Sequence, residues 1–333
     1  MLTFVFYLFF LLIFVVFAVY AERKTAAFIQ NRLGPMEVGP KGILQTIADL
    51  LKMLQKEDIR AGAVDLGPFL IAPFIVFTAV FAGFSVLPLN QELSGSDASG
   101  GLFLLIAIIS LDVIGILIAG WASNNKYSLF GAMRSVAQII SYEIPLGLAI
   151  LCVVIITGTL DLQETSLLQT GNGIIRWNIV QHPVLIIPFL IFFVAGLAES
   201  NRTPFDLPES ESELIGGYHT EYSGFRWGIF MLSEYGMMLL LSMLGTILFF
   251  GGWNSPLPNI VGVELFEMTS GPVWGSFWLL SKALLLIFIQ MWVRWTLPRL
   301  RVDQLMSLSW KYLTPLSLLM LFICGMWKFW LIS

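Results

Sequence analysis

Eight stretches of this 333-residue chain, near 2–21, 67–90, 101–123, 135–158, 180–198, 227–251, 273–296 and 312–331, stay apolar over spans approaching or exceeding about twenty residues. An α-helix rises about 1.5 Å per residue, so a run of about 20 crosses the ~30 Å hydrocarbon core of a bilayer. In lipid every backbone N–H and C=O must be bonded inside the protein, which makes the helix the form such runs adopt. The predicted fold is therefore an all-α polytopic membrane protein, one membrane domain over residues 1–333 with eight transmembrane helices. Composition agrees, with 57% hydrophobic and 12% charged residues where soluble chains carry about a quarter charged. The first run does not read as a removable signal. Met1 to Phe6 lacks a positive charge, and Glu22, Arg23 and Lys24 follow the run instead of preceding it.

A first helix entering from the outer side places Arg23, Lys24, Arg32, Lys41, Lys52, Lys56, Arg60, Lys126, Arg134, Arg202, Arg226, Arg294, Arg299, Arg301 and Lys311 in inner loops. Of the 18 basic residues only Arg176, Lys282 and Lys328 remain elsewhere. The positive-inside rule then puts both termini outside. A net charge of −4, with basic clusters confined to loops, is no footprint for nucleic acid.

The first inner loop is patterned. Ile43, Leu44, Ile47, Leu50, Leu51 and Leu54 recur at helical spacing while Lys41, Gln45, Asp49, Lys52 and Lys56 share the other face, so an amphipathic interfacial helix is expected over about 41–56. The turn signals Gly34-Pro35 and Gly39-Pro40 precede it. Such a helix can be a plain anchor or one wall of a lipid-accessible site.

The inner loop at 199–226 is unusually acidic. Glu199, Asp206, Glu209, Glu211, Glu213 and Glu221 face only Arg202 and Arg226, and Pro204, Phe205, Leu207, Pro208, Leu214, Ile215, Tyr218 and Tyr222 are interleaved with them. That mixture suggests a packed, partly buried segment whose carboxylates exchange protons near neutral pH. If the segment is helical, Glu209 and Glu213 are i,i+4 neighbours, and either solvent screens them or one holds a proton. Inside the spans lie Asp112, Glu143, Glu234 and Lys282. Glu143 and Glu234 stand about eight residues beyond Arg134 and Arg226, roughly 12 Å into the membrane. With the acidic loop they suit a descending row of proton-binding groups, the alternative being structural pairing with Lys282 or a serine.

His219 beside Tyr218 reads first as a hydrogen-bonding residue, and His182, before Pro183, as structural. Cys152 and Cys324 sit in separate apolar runs without metal-ligand spacing, as packing residues. Phosphate-binding glycine loops, Ser-His-Asp arrangements and internal repeats are not found. The chain lacks the parts for redox chemistry of its own.

The segments AERKTAAFIQNRLGPMEVGPKGILQTIADLLKMLQKED, GWASNNKYSLFGAMRSVAQIISYE, AESNRTPFDLPESESELIGGYHTEYSG and WTLPRLRVDQLMSLSWKYLTPLSL resemble, in order and over the whole chain, the H-subunit family of bacterial NADH-quinone oxidoreductase, called subunit 1 in mitochondrial complex I. The resemblance implies eight transmembrane helices joining a peripheral redox arm to a proton-pumping membrane arm, in the bacterial inner membrane with periplasmic termini. It implies the membrane side of a quinone chamber, with ubiquinone or menaquinone as substrate. No cofactor is expected in this chain; FMN and iron–sulfur clusters are expected in partner subunits. Expected partners are the peripheral-arm quinone-site and iron–sulfur subunits and the small membrane-arm subunits leading to antiporter-like ones.

By the same resemblance Glu22, Arg23, Asp49, Glu57, Arg202, Asp206, Tyr218, Arg294 and Arg299 belong to the chamber and its polar surroundings, with Asp303 in the last inner turn. Arg134, Glu143, Glu199, Glu209, Glu211, Glu213, Glu221 and Glu234 belong to proton coupling. Met36 departs from the polar residue expected after Gly-Pro, and Thr46 from a frequent proline, which leaves the start of the amphipathic helix open. The alternatives are the membrane subunit of an energy-converting hydrogenase, sharing the acidic loop without a quinone, and a proton-coupled secondary transporter, against which the absence of an inverted repeat weighs. Neighbouring genes would separate the three.

Overall fold

The computed structural model describes residues 2–93, 100–171, 173–206, 215–259, 266, 269 and 271–332. Among them the regular elements are all helical: α1 (Leu2–Ile29), α2 (Gln45–Gln55), α3 (Leu66–Phe84), α4 (Gly101–Ile109), α5 (Leu111–Ala122), α6 (Lys126–Thr157), α7 (Leu162–Leu168), α8 (Asn178–Gln181), α9 (Ile186–Glu199), α10 (Gly224–Phe249), α11 (Pro272–Thr296), α12 (Val302–Ser307) and α13 (Thr314–Ile332). A π-helical turn, Leu308–Leu313, joins the last two. Among the described residues, seven helical stretches are long and apolar enough to cross a membrane: Val5–Ile29, Leu66–Phe84, Gly101–Ala122, Lys126–Thr157, Gly224–Phe249, Pro272–Thr296 and Val302–Leu331.

The run expected at 180–198 forms a shorter element. α9 has 14 residues, about 21 Å at helical rise, behind a tight turn at Pro183–Leu185. Its C-terminal end stops just before Asn201, which takes a left-handed conformation, φ 49°. The run at 101–123 is broken at Ser110, whose hydroxyl donates to the Ala107 carbonyl at 3.0 Å, a local competition that bends helices. The helix expected over 41–56 begins only at Gln45, because Lys41 and Gly42 are left-handed, φ 55° and 77°.

α10 is the centre of the bundle. From Tyr235 to Phe249 every residue is buried, as expected of a helix apolar on all sides. It packs on α3, α9 and α11, while α6 packs on α5, α9 and α13. Cys152 of α6 and Cys324 of α13 are both free and buried.

Two spans carry an internal proline, and a proline removes the donor for the carbonyl four residues earlier. In α3, Pro73 frees the Phe69 carbonyl, which accepts from the Tyr222 hydroxyl at 3.1 Å. The two rings stack 4.1 Å apart. In α6, Pro145 frees the Ser141 carbonyl, which accepts from Ser309 Oγ at 2.6 Å. Both orphan carbonyls are thus satisfied by hydroxyls from distant segments.

The acidic segment is pressed onto this frame. A Cβ at Gly131 of α6 would lie 2.7 Å from Gly217 Cα, so only glycine permits the approach. Gly224, at φ 58°, opens α10 with a Cβ position 3.3 Å from the Lys56 carbonyl. The end of the acidic segment therefore sits against the end of α2.

Candidate functional site

A cavity of about 1020 Å³ lies between α1, α2, α10 and the C-terminal end of α11. Leu12, Val15, Val16 and Val19 of α1 line one part, with Met231 and Leu232 of α10. Glu22, Arg23, Thr46, Asp49 and Lys52 line another. α1 produces this polarity change by its length, about 42 Å for 28 residues, which carries it past its apolar run. Arg23 Nη1 pairs with Asp49 at 2.5 Å, fastening α1 to α2. The chemistry offered is that of a chamber with an apolar part for a hydrocarbon tail and a polar part for a headgroup.

Glu22 is the hub of the polar part. It is buried and accepts from Tyr235 Oη at 2.6 Å and Arg202 Nη1 at 3.3 Å, and it pairs with Arg294 Nη1 through its other oxygen. The Arg202 guanidinium lies over the Tyr235 ring, 4.0 Å from its centroid. Burial alone would drive Arg202 toward losing its proton, but Tyr235, Glu22 and Glu234 hold it charged, above the ordinary arginine value. Nearby, buried Asp206 accepts from Arg299 Nη2 at 2.9 Å and Thr203 Oγ1 at 3.4 Å. These contacts tie the first half of the acidic segment to the chain after α11.

Arg202 is also the step toward a second group. Glu234 lies within its electrostatic reach, accepts from Tyr218 Oη at 3.2 Å and stands 3.5 Å from His219 Nε2. Asp112 is within reach of Glu234, and Glu199 of Asp112 and Glu143. Asp112, Glu199, Glu234, Tyr218 and Ser233 line a small cavity of about 10 Å³, the size of one water molecule. One oxygen each of Asp112 and Glu199 is buried there without a protein partner. A water with several polar neighbours fits this space and would link the three carboxylates.

The remaining expected residues lie off the walls of both cavities. Glu221 accepts from Asn125 Nδ2 at 2.7 Å, and the Asn125 side chain also caps α6 by accepting from the Tyr127 N–H. Arg226 pairs with Asp58 at 2.8 Å. Glu143 is half-buried on α6, Arg134 is half-buried earlier on the same helix, and Glu57 and Asp303 are exposed. Glu209, Glu211 and Glu213 lie outside the described residues.

A family model described as NADH dehydrogenase matches residues 2–325. The chain is 52% identical to the second of the NADH-quinone oxidoreductase H subunits of Cytophaga hutchinsonii, over 99% of this chain and all of the relative. It is 55% identical to the NADH-quinone oxidoreductase H subunit of Chlorobaculum tepidum, over 92% and 86% of the two chains, and 46% identical to that of Brevibacillus brevis, over 90% and 84%. The chain belongs to the H-subunit family of NADH-quinone oxidoreductase.

Several positions in this member of the family escape sequence reasoning. Tyr235 and Trp295, both on the cavity wall, carry no charge to draw the eye, and Thr46, noted in the sequence only for standing in place of a proline, joins them there. Asp112 and Glu199 belong to different helices far apart along the chain, yet they share a cavity. Among the described residues Lys282 does not pair with a carboxylate. Its Nζ donates to the carbonyls of Phe250, Gly252 and Asn254 at 2.7–2.9 Å and lies 4.8 Å from the Trp177 ring. The ammonium thereby closes the C-terminal end of α10, where helix carbonyls concentrate negative charge. Among the described residues no group of three His, Cys, Asp or Glu side chains is arranged to hold a metal ion.

Proposed function

We propose that this chain is the membrane-arm subunit of a proton-translocating NADH-quinone oxidoreductase, forming the membrane side of its quinone chamber and coupling quinone reduction to proton movement. The observation that carries the reading is the double membership of Glu22. Its carboxylate faces the cavity and pairs with Arg202, whose charge reaches Glu234. The quinone, ubiquinone or menaquinone, places its isoprenoid tail along the apolar walls and its headgroup among Arg23, Asp49 and the Glu22 cluster. Glu57, Asp206, Tyr218 and Arg299 belong to the polar surroundings. α9 with its preceding turn serves as the eighth span, α2 lies in the interface, and both termini are periplasmic in a bacterial inner membrane. The chain holds no redox centre; FMN and iron–sulfur clusters belong to partner subunits, and small membrane subunits continue toward the antiporter-like ones.

Reduction of a quinone to quinol takes up two electrons and two protons. Each change of one charge at the headgroup, felt at about 10 Å through an effective dielectric of about 20, is worth about 1.7 kcal/mol, more than one pKa unit. Arg202 and Arg294 turn toward added negative charge and loosen from Glu22. Glu234, Asp112, Glu199 and Glu143 then answer in sequence by exchanging protons through the intervening water, with Arg134 and Glu221 bounding the row and Glu209, Glu211 and Glu213 continuing it at the surface.

The test is the double variant Glu143→Gln/Glu234→Gln, which keeps shape while removing two titratable groups. It is expected to assemble and to reduce an artificial acceptor that takes electrons upstream in the peripheral arm, and to lose most quinone-linked turnover and proton pumping. Wild-type turnover and pumping in that variant would remove the row from the mechanism.

A further inference from the structure

Glu199 and Arg202 stand on either side of one turn, and neither is fixed by its own side chain. Glu199 lines the small cavity, yet among the described residues no hydrogen bond or ion pair holds its carboxylate, and its Oε2 is buried without a partner. Arg202 bonds Glu22 through Nη1 alone, at 3.3 Å. Its Nε and Nη2 are buried without partners among the described residues, although a guanidinium carries five N–H donors. What aims both groups is therefore the backbone between them.

That backbone is a Schellman turn closing α9. The Arg202 N–H donates to the Leu197 carbonyl at 3.1 Å and the Asn201 N–H to the Ala198 carbonyl at 3.2 Å, the two bonds that define such a helix end. The motif needs one left-handed residue, and Asn201, at φ 49°, fills a place usually given to glycine. Glycine would serve the backbone at least as well, so the side chain has a second use. Asn201 Oδ1 accepts from Gln138 Nε2 at 3.2 Å and from Ser135 Oγ at 3.4 Å, both on α6. Gln138 Nε2 also donates to the Ala198 carbonyl at 2.8 Å, so one amide grips both the turn's side chain and the helix end. Its Oε1 is buried without a partner among the described residues, which leaves the two N–H groups as what the amide contributes. Ser135, Gln138 and Asn201 are 0%, 1% and 6% exposed.

We propose that Asn201, gripped by Gln138 and Ser135, is the positioning residue that sets Glu199 and Arg202 for the coupling of quinone chemistry to proton movement. The turn carries Arg202 onto Glu22 on one side and Glu199 into the small cavity on the other. α6, which also bears Glu143, supplies the fixed point. Neither Asn201 nor Gln138 lines the large cavity, so they act on turnover and not on quinone binding. The inference rests on the function proposed above.

The experiment uses the whole complex in native membranes with Asn201→Gly, which keeps the left-handed turn and removes the grip, Gln138→Met, which keeps the length and removes the donors, and the two combined. Quinone-linked kcat and KM are read per assembled complex, with reduction of an artificial acceptor upstream as the control. Losing a buried neutral hydrogen bond is expected to lower kcat about three- to tenfold in each single variant, with KM within about twofold of the wild type. The combined variant should be no slower than the slower single one, because both changes break the same contact. A turn that only holds the fold together would lower assembly or the thermal midpoint and leave kcat per assembled complex unchanged. That result overturns the proposal, as do single losses that multiply in the combined variant or that fall on KM alone. If neither single variant assembles, Ser135→Ala, which removes only the longer of the two donors, decides: kcat about twofold lower supports the proposal and an unchanged kcat overturns it. If Glu143→Gln/Glu234→Gln is impaired while Asn201→Gly and Gln138→Met are not, this inference alone fails. If Glu143→Gln/Glu234→Gln turns over like the wild type, the coupling reading fails first.

Discussion

Glu22→Gln leaves the guanidinium groups of Arg202 and Arg294 in one buried pocket with no carboxylate between them. Arg202 and Glu22 are 3.3 Å apart, with side chains only 6% and 9% exposed. Unit charges at that distance attract by about 5 kcal/mol at an effective dielectric of about 20. Arg294 shares the same carboxylate, and the Tyr235 ring keeps its hold on Arg202. The coupling a double-mutant cycle can measure is therefore smaller, about 2–3 kcal/mol. Quinone-linked kcat/KM, measured in membranes with assembly verified, should fall in Glu22→Gln and in Arg202→Gln. The double variant, which restores charge balance, should be about thirty- to 150-fold more active than the product of the single losses requires. Losses that simply multiply, a coupling below about 0.5 kcal/mol, would refute the idea that Glu22 and Arg202 act as one unit.

Ser309→Ala removes the donor to the Ser141 carbonyl and should destabilise the complex by about 1–3 kcal/mol; adding Pro145→Ala, which returns a helical N–H to that carbonyl, should recover most of the lost thermal midpoint. Tyr222→Phe should behave in the same way at Phe69, with Pro73→Ala as its suppressor. Lys282→Met strips the ammonium from three carbonyls and should lower the thermal midpoint while leaving the KM for quinone within about twofold, since Lys282 lies apart from the cavity wall. A suppressor without effect, or a raised KM in Lys282→Met, would contradict these assignments.

The bundle was legible where one local property decides. Apolar runs mark α1, α3, α6, α10 and α11 because length and hydropathy alone settle whether a helix can cross a bilayer. The ends of these helices were less so. α9 is shortened by a turn at Pro183–Leu185 and a left-handed Asn201, and the Ser110 break depends on one hydroxyl choosing a helix carbonyl. The charged half of the site was reachable through the resemblance at Glu22, Arg23, Asp49 and Arg202. The hydroxyl-to-carbonyl contacts that hold the frame were not. Ser309 meets Ser141 across 168 residues and Tyr222 meets Phe69 across 153, and no periodicity encodes such pairings. Lys282 looked like half of an ion pair because sequence shows charges and hides the carbonyls at a helix end.

A density map of the assembled complex with bound quinone tests the central claim most directly. The headgroup is expected at the polar part of the cavity, against Arg23, Thr46, Asp49 and the Glu22 cluster, with the tail running past Val19, Val16 and Leu12 of α1. Headgroup density elsewhere in the complex, or partner side chains filling this cavity, would contradict the account.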